Sequence, residues 1–365
     1  MLPQIRAINI YLFLMLTFST SLFSYNTVTV QDFQDHIDIT TFYGNFTITE
    51  PVLLDLLRCP MMERLKKIHQ YGPFYYTVRP VAYTRYDHSI GVFALLRSIN
   101  VSLDEQVAGL LHDISHTVFS HCGGLVFRST ILEADLQQDD DHLQFLKKSG
   151  IDTILRRHGF TSEQVHPKNS QFTALERNLP YLCADRIEYN LNGGYQENLL
   201  TKDDIQAILR HLCFENGIWI FDDAAMAKKF ASISLWKTEH TWGSADNIMV
   251  YTWIGQALRQ ALSLGLISMD TILYGTDDEV WQLLHFSTDP MIQSLLHQSR
   301  NYAHQYEINT NRYDTILYAK FRGIDPMVKT DAGTRYLTEL DGQFKEQYNK
   351  TKALMKAGWP IKFVS

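Results

Sequence analysis

The stretch TRYDHSIGVFALLRSINVSLDEQVAGLLHDISHTVFSH, residues 84–121, decides how this chain is read. It carries four of the fourteen histidines: His88, His112, His116 and His121. Val107, Leu110, Leu111 and Ile114 recur at i, i+3, i+4 and i+7, the period of a helix with one buried face. SIGVFALLRSI reads as a second buried helix. On a continuous helix residues four apart share a face, so His112 and His116 project together, with Asp113 about 100° round from His112. His88, on the earlier helix, reaches the same point if the two pack antiparallel, and NVSLDEQ is a suitable connection.

A hydrogen-bonded place at a helix interface would account for any one of these histidines. The His112-Asp113 doublet asks for more, because its flanks, VAGLL and IS, are apolar. A carboxylate buried among such residues is costly unless a cation or hydrogen bonds compensate it, and a metal ion does so.

Around this centre the chain of 365 residues is 45% hydrophobic and 20% charged, enough to bury a large core in one or two domains. A net charge of −7 argues against a protein whose task is to coat nucleic acid. Cys59, Cys122, Cys183 and Cys213 form no C-x-x-C pair, so free buried thiols are expected. No phosphate-binding G-x-x-x-x-G-K-[ST] loop, G-x-G-x-x-G or G-x-S-x-G occurs.

At the N-terminus Arg6 precedes AINIYLFLMLTFSTSLF, seventeen residues without a charge. Residues 1–24 therefore read as a signal peptide or an N-terminal membrane anchor, which would make the protein exported or membrane-anchored; otherwise it is cytoplasmic. Alternating runs over Val28 to Thr49 predict one or two small strands with a turn at Gly44. NGIWIF and YGPFYYTV read as further strands. Helices are expected over EPVLLDLLRCPMMERLKKIHQ, His142 to His158, Gln171 to Leu191, Lys202 to Leu212, Asp222 to Thr238, Ser244 to Leu264 and Asp277 to Leu284. The fold expected is mostly α, with a few short strands near the N-terminus and around 217–221.

The spacing of an isolated His88, the His112-Asp113 doublet and a distant Asp185 in LCADRIEYN resembles the HD-domain metal-dependent phosphohydrolases. ERLKKIHQYG, TRYDHSIGV, AGLLHDISHTVFSH, ADRIEY and YGTDDEVWQLL resemble, in order, strings of its deoxynucleoside triphosphate triphosphohydrolase branch, to which the sterile-alpha-motif-linked HD enzyme belongs. The resemblance implies an HD helical bundle over 28–290, with its metal core at about 50–195, and leaves 291–365 as a helical extension without an assigned role. It implies that His88, His112, Asp113 and Asp185 hold one divalent metal. A two-His, two-Asp set suits Fe, Mn, Zn or Mg alike. His116, His121 and His142 are implied as catalytic histidines beside the phosphates. Arg85 and Arg186 are implied as phosphate contacts, Tyr189 as the aromatic beneath the sugar and Gln70 as a sugar contact. It also implies a homo-oligomer.

Two departures stand out. Where the branch has an Asp reading the sugar hydroxyl, this chain has Gly193, and a second acidic position after His121 is Gly123-Gly124. Three readings therefore stay open: a dNTP triphosphohydrolase, a phosphatase or phosphodiesterase acting on another small phosphate compound, and a non-catalytic HD nucleotide-binding module.

Overall fold

A computed structural model describes residues 27–126 and 142–364; the proposed signal or anchor at 1–24 lies outside them. The described chain opens with strands β1 (Thr29–Asp32), β2 (Ile37–Thr41) and β3 (Gly44–Ile48), an antiparallel sheet in that order. Helices α1 (Pro51–Leu57), α2 (Pro60–Leu65), α3 (Phe74–Thr77), α4 (Arg85–Ser98) and α5 (Leu103–Leu111) follow, with a 3-10 turn at Ser120–Val126. Next come α6 (142–148), α7 (Ile151–Arg157), α8 (Ala184–Gln196) and α9 (Lys202–Arg210). The hairpin β4 (Leu212–Glu215) and β5 (Ile218–Phe221) leads into α10 (Ala224–His240), α11 (Ala245–Ser263), α12 (Met269–Tyr274), α13 (Asp277–His285) and α14 (Pro290–Arg300).

The remainder holds β6 (Tyr306–Ile308), β7 (Thr315–Leu317), β8 (Met327–Thr330), β9 (Gly333–Tyr336), α15 (Leu337–Leu340), α16 (Gly342–Ala357) and β10 (Trp359–Phe363). It is thus not the helical extension expected. β8 pairs in parallel with β5, Ile220 opposite Met327, within the sheet β4-β5-β8-β9, while β6-β10-β7 forms a third sheet. These strands are only three to five residues long, and β6 and β9 are mostly exposed, so periodicity cannot mark them. The fold is mainly helical, with more strand than expected.

Two other expectations are corrected. YGPFYYTV is not a strand: Pro73 opens the short helix α3, and its rings are spent on separate partners, Tyr75 on His69 (centroids 3.6 Å) and Tyr76 on Trp281 (4.7 Å). Gln171 to Leu191 is not one helix. Residues 171–183 are irregular, with Pro180 in their midst, and the Glu105 carboxylate accepts the backbone N–H groups of Ala174 and Leu175 at 2.8 and 3.0 Å in place of helical partners.

The larger core joins the N-terminal sheet, α1, α2, α4, α5, α8 and α10; a second core gathers around α11 and α14. No helix of the described residues is long and apolar enough to cross a membrane.

Candidate metal centre and substrate cavity

Helix α4 starts from a capping box: Thr84 and Asp87 each accept the other's backbone N–H. This puts His88 in the first turn. α5 packs beside α4 and delivers His112 at its C-terminal end. The helix stops there, earlier than expected: Ile114 and His116 make i→i+3 bonds to Leu111 and Asp113, so residues 112–116 form a tight turn and not a further helical turn. His116 is therefore close to Asp113, its Nε2 lying 3.2 Å from Asp113 Oδ1. α8 crosses α4 where Gly91 has no side chain; a Cβ there would lie 2.5 Å from a Glu188 carboxylate oxygen. That close approach brings Asp185 and Glu188, one turn apart on α8, to His88.

The donors converge. His88 Nε2 and His112 Nε2 are 3.1 Å apart, and Asp185 Oδ1 lies 3.0 Å from the first and 3.7 Å from the second. His112 Nδ1–H donates to the Gly109 carbonyl (2.7 Å), and His88 Nδ1–H donates to Glu188, which also takes the Tyr83 hydroxyl. Both Nε2 lone pairs are therefore aimed at one point beside a carboxylate, an arrangement that needs a cation between them. A proton can take that cation's place: burial opposes a charge on His88, but Glu188, Asp185 and Asp113 raise its pKa to about 10, so a metal ion binding there displaces the Nε2 proton. Burial also opposes ionisation of Asp185, yet the two imidazoles hold its carboxyl well below the usual range. The residues fit a divalent ion, with His88, His112 and Asp185 as its holders.

Asp113 stands at the edge of this trio, its oxygens 3.6 Å from His88 Nε2 and 3.7 Å from His112 Nε2. Arg85 does not project freely as a phosphate clamp. Its guanidinium donates to Asp113 Oδ2 (2.6 Å) and Ser120 Oγ (3.0 Å), and it is buried. The His116 pKa lies well below the usual histidine value, from burial and from Arg85, so its imidazole is neutral beside Asp113. The His121 ring meets the His116 ring edge-on at 4.7 Å. His142 donates or accepts through Nδ1 with Ser115 Oγ (3.0 Å), and burial brings its pKa down to about 3.

Arg85, His112, Asp113, His116, His121, His142 and Asp185 line one cavity of about 630 Å³, the size of a small-molecule site, with His88 behind them. Gln70, Arg186 and Tyr189 line it too. Gln70 Oε1 is buried with no partner among the described residues. Arg186 donates to the Tyr181 carbonyl (2.9 Å), and Tyr189 meets Trp242 edge-on at 5.3 Å. Every sequence-predicted site residue thus comes to this cavity or its floor.

The residues that spacing did not reveal are those brought from afar. Glu188 was visible only as the residue one helical turn beyond Asp185. Tyr71, Trp242, Tyr251, Lys320 and Arg322 also line the cavity and carried no local signal. The position of Gly193 has a physical cause: a Cβ there would lie 2.1 Å from Nζ of Lys237. That ammonium is fully buried between Glu197 Oε1 (2.9 Å), the Tyr71 hydroxyl (3.1 Å) and the Trp242 ring (4.1 Å).

A family model described as HD domain matches residues 85–175. The chain belongs to the HD-domain metal-dependent phosphohydrolases. It is 34% identical over 289 residues to the uncharacterized protein YdhJ of Bacillus subtilis, covering 79% of this chain and 87% of that one. It is 29% identical to the metal-dependent phosphohydrolase cns2 of Cordyceps militaris, over 68% of this chain and 72% of the relative. Similarity to the deoxynucleoside triphosphate triphosphohydrolase SAMHD1 of Danio rerio is 29%, over 30% of this chain and 21% of that protein.

Proposed function

We propose that this chain hydrolyses the phosphoester of a deoxynucleoside triphosphate, releasing deoxynucleoside and tripolyphosphate. The observation that carries the reading is the convergence of two imidazole lone pairs and a carboxylate on the floor of a nucleotide-sized cavity edged by arginines. A divalent ion held there supplies an activated water and polarises a phosphoryl oxygen. Around it, Arg85 keeps Asp113 ionised and in place, and Asp113 in turn fixes the neutral His116 imidazole, which is placed to hydrogen-bond the substrate without carrying a charge of its own. Tyr189 and Trp242 offer ring faces and edges to the organic part of the substrate, with Arg186 beside its anionic part.

The double variant His112→Ala/Asp113→Ala tests this directly. Bound metal, measured by elemental analysis, and nucleotide turnover should both be lost; retained turnover sinks the proposal.

Gly193 with Lys237 favours a second reading, a phosphatase or phosphodiesterase for another small phosphate compound. Gly193 offers no carboxylate to read a sugar hydroxyl, and the buried Lys237 ammonium occupies the space beside it. A panel of nucleotides and sugar phosphates, with phosphate, pyrophosphate and tripolyphosphate resolved as products, separates the two.

Export or anchoring by residues 1–24 and assembly into a homo-oligomer remain part of the proposal. The uncharged N-terminal run and the resemblance to the triphosphohydrolase branch support them. Mass spectrometry of the mature N-terminus and light scattering after gel filtration test them.

A further inference from the structure

The lysines and arginines that line the cavity are Arg85, Lys168, Arg177, Arg186, Lys320 and Arg322. Arg85 is committed to Asp113 at the metal end. Arg177 and Arg186 flank Tyr181, the first with its guanidinium 5.9 Å from the Tyr181 ring, the second bonded to its carbonyl. Lys320 and Arg322 arrive from the segment joining β7 to β8, the stretch to which the sequence assigned no role.

That segment is built to present them. Phe321 turns into the main core, edge-on to Tyr348 at 5.1 Å, while its neighbours Lys320 and Arg322 face the cavity, the alternation of an extended strand. Its backbone is pinned on both sides. The Ser234 hydroxyl donates to the Arg322 carbonyl at 3.0 Å, and the Asp325 N–H donates to the Pro180 carbonyl at 3.3 Å. Ile324 is fully buried, and the Asp325 carboxylate accepts from the Thr338 N–H and hydroxyl at 3.0 and 2.6 Å. The Asp325–Pro180 bond joins this segment to the loop that carries Arg177 and leads into Arg186 at the start of α8, so the two basic walls are stitched together. Arg186, Arg322 and Tyr189 all line this cavity, and both guanidinium charges act against the rise that burial gives the Tyr189 phenol.

The metal end does not need these cations, since its carboxylates are already matched by Arg85 and the imidazoles. We propose that Lys320 and Arg322, with Arg186 across from them, form an anion-binding arm that takes a phosphate of the substrate other than the one at the metal centre. The substrate class is then a compound with two or more phosphates, and the arm selects it over a lone phosphomonoester. This rests on the phosphohydrolase reading, and it gives the C-terminal region a place in the site.

The test uses the full-length, metal-loaded protein and the variant Lys320→Gln/Arg322→Gln, with Lys320→Arg/Arg322→Lys as the charge-preserving control. Calorimetry measures the Kd of inorganic tripolyphosphate and of inorganic phosphate, and kinetics compare dATP with dAMP. The glutamine variant should weaken tripolyphosphate binding and raise the KM for dATP by about tenfold or more, with the control close to wild type. Phosphate affinity should change far less. An unchanged Kd for tripolyphosphate in the glutamine variant overturns the arm. Arm-dependent tripolyphosphate binding in a protein that turns over no phosphate compound upholds the arm and overturns the phosphohydrolase reading instead. Equal losses for phosphate and tripolyphosphate overturn the selectivity.

Discussion

Lys237 shows how a single residue's environment is decided far from its place in the chain. Its ammonium has no exposure, and burial lowers its pKa against the pull of Glu197. Glu197 is also held by Thr241 (2.9 Å) and Arg79 (3.3 Å). Removing Lys237 leaves the buried Glu197 with only the half-exposed Arg79 as a cation, so Lys237→Met should cost about 3 kcal/mol, and adding Glu197→Gln should restore most of it. Urea denaturation of the two variants measures both values. No spacing rule marks Lys237, because an amphipathic helix reads its lysines as solvent-facing. The metal-site histidines were legible for the opposite reason: titratable groups in an apolar run need a partner, and the run itself announces it.

His69 offers a second residue-scale check, away from the metal. It stacks on Tyr75, and burial lowers its pKa from 6.5 to about 4. The unfolded chain therefore binds a proton that the folded chain refuses between these values. The associated stability, about 3 kcal/mol, is full above pH 6.5 and is lost as pH falls through 4. Urea midpoints at pH 7.5 and 4.5 should differ less for His69→Gln than for wild type. Equal differences would show that His69 already titrates normally in the fold. Wild-type slope that remains in the variant belongs in part to His142.

At the scale of elements, the metal trio depends on α4 and α8 lying close enough for Glu188 to orient His88. Gly91 permits that approach, and a bulkier residue there would separate the helices. Glu188→Gln keeps the shape while weakening the acceptor on His88 Nδ1, so metal affinity should fall by about 10–100-fold in a competitive chelator titration. Unaltered affinity would mean that Glu188 is only a packing group. The helices α4, α5 and α8–α11 were legible from their apolar period. Their ends were not, since α5 closes at Leu111 under the demands of Asp113 on Arg85 and of Ser115 on His142. YGPFYYTV misled because an aromatic run has strand propensity, and tertiary stacking overrode it.

Across the whole molecule, the sequence pointed to the bundle and to the clustered His88, His112 and Asp185 but not to the C-terminal strands, where β8 pairs with the much earlier β5 and β6 and β7 wait for β10 at the end of the chain. Met327 opposite Ile220 is an example: neither residue's neighbourhood contains a sign of the other. Function divides along the same line. The proposed metal holders His88 and His112 sit within one stretch, with Asp185 added from α8, while the groups proposed to select the substrate come from α8 and the 319–322 segment together.

The parallel pairing of β5 with β8 has a consequence for how the protein is made. β5, with the sequence IWIF, is buried on both faces save its first residue, and until Met327 has been synthesised one of its edges has no strand to meet. An apolar edge left open is adhesive towards other chains. The nascent polypeptide thus carries a sticky border throughout the translation of five helices, which makes β8 the closure that turns a vulnerable ribosome-bound chain into a well-behaved one.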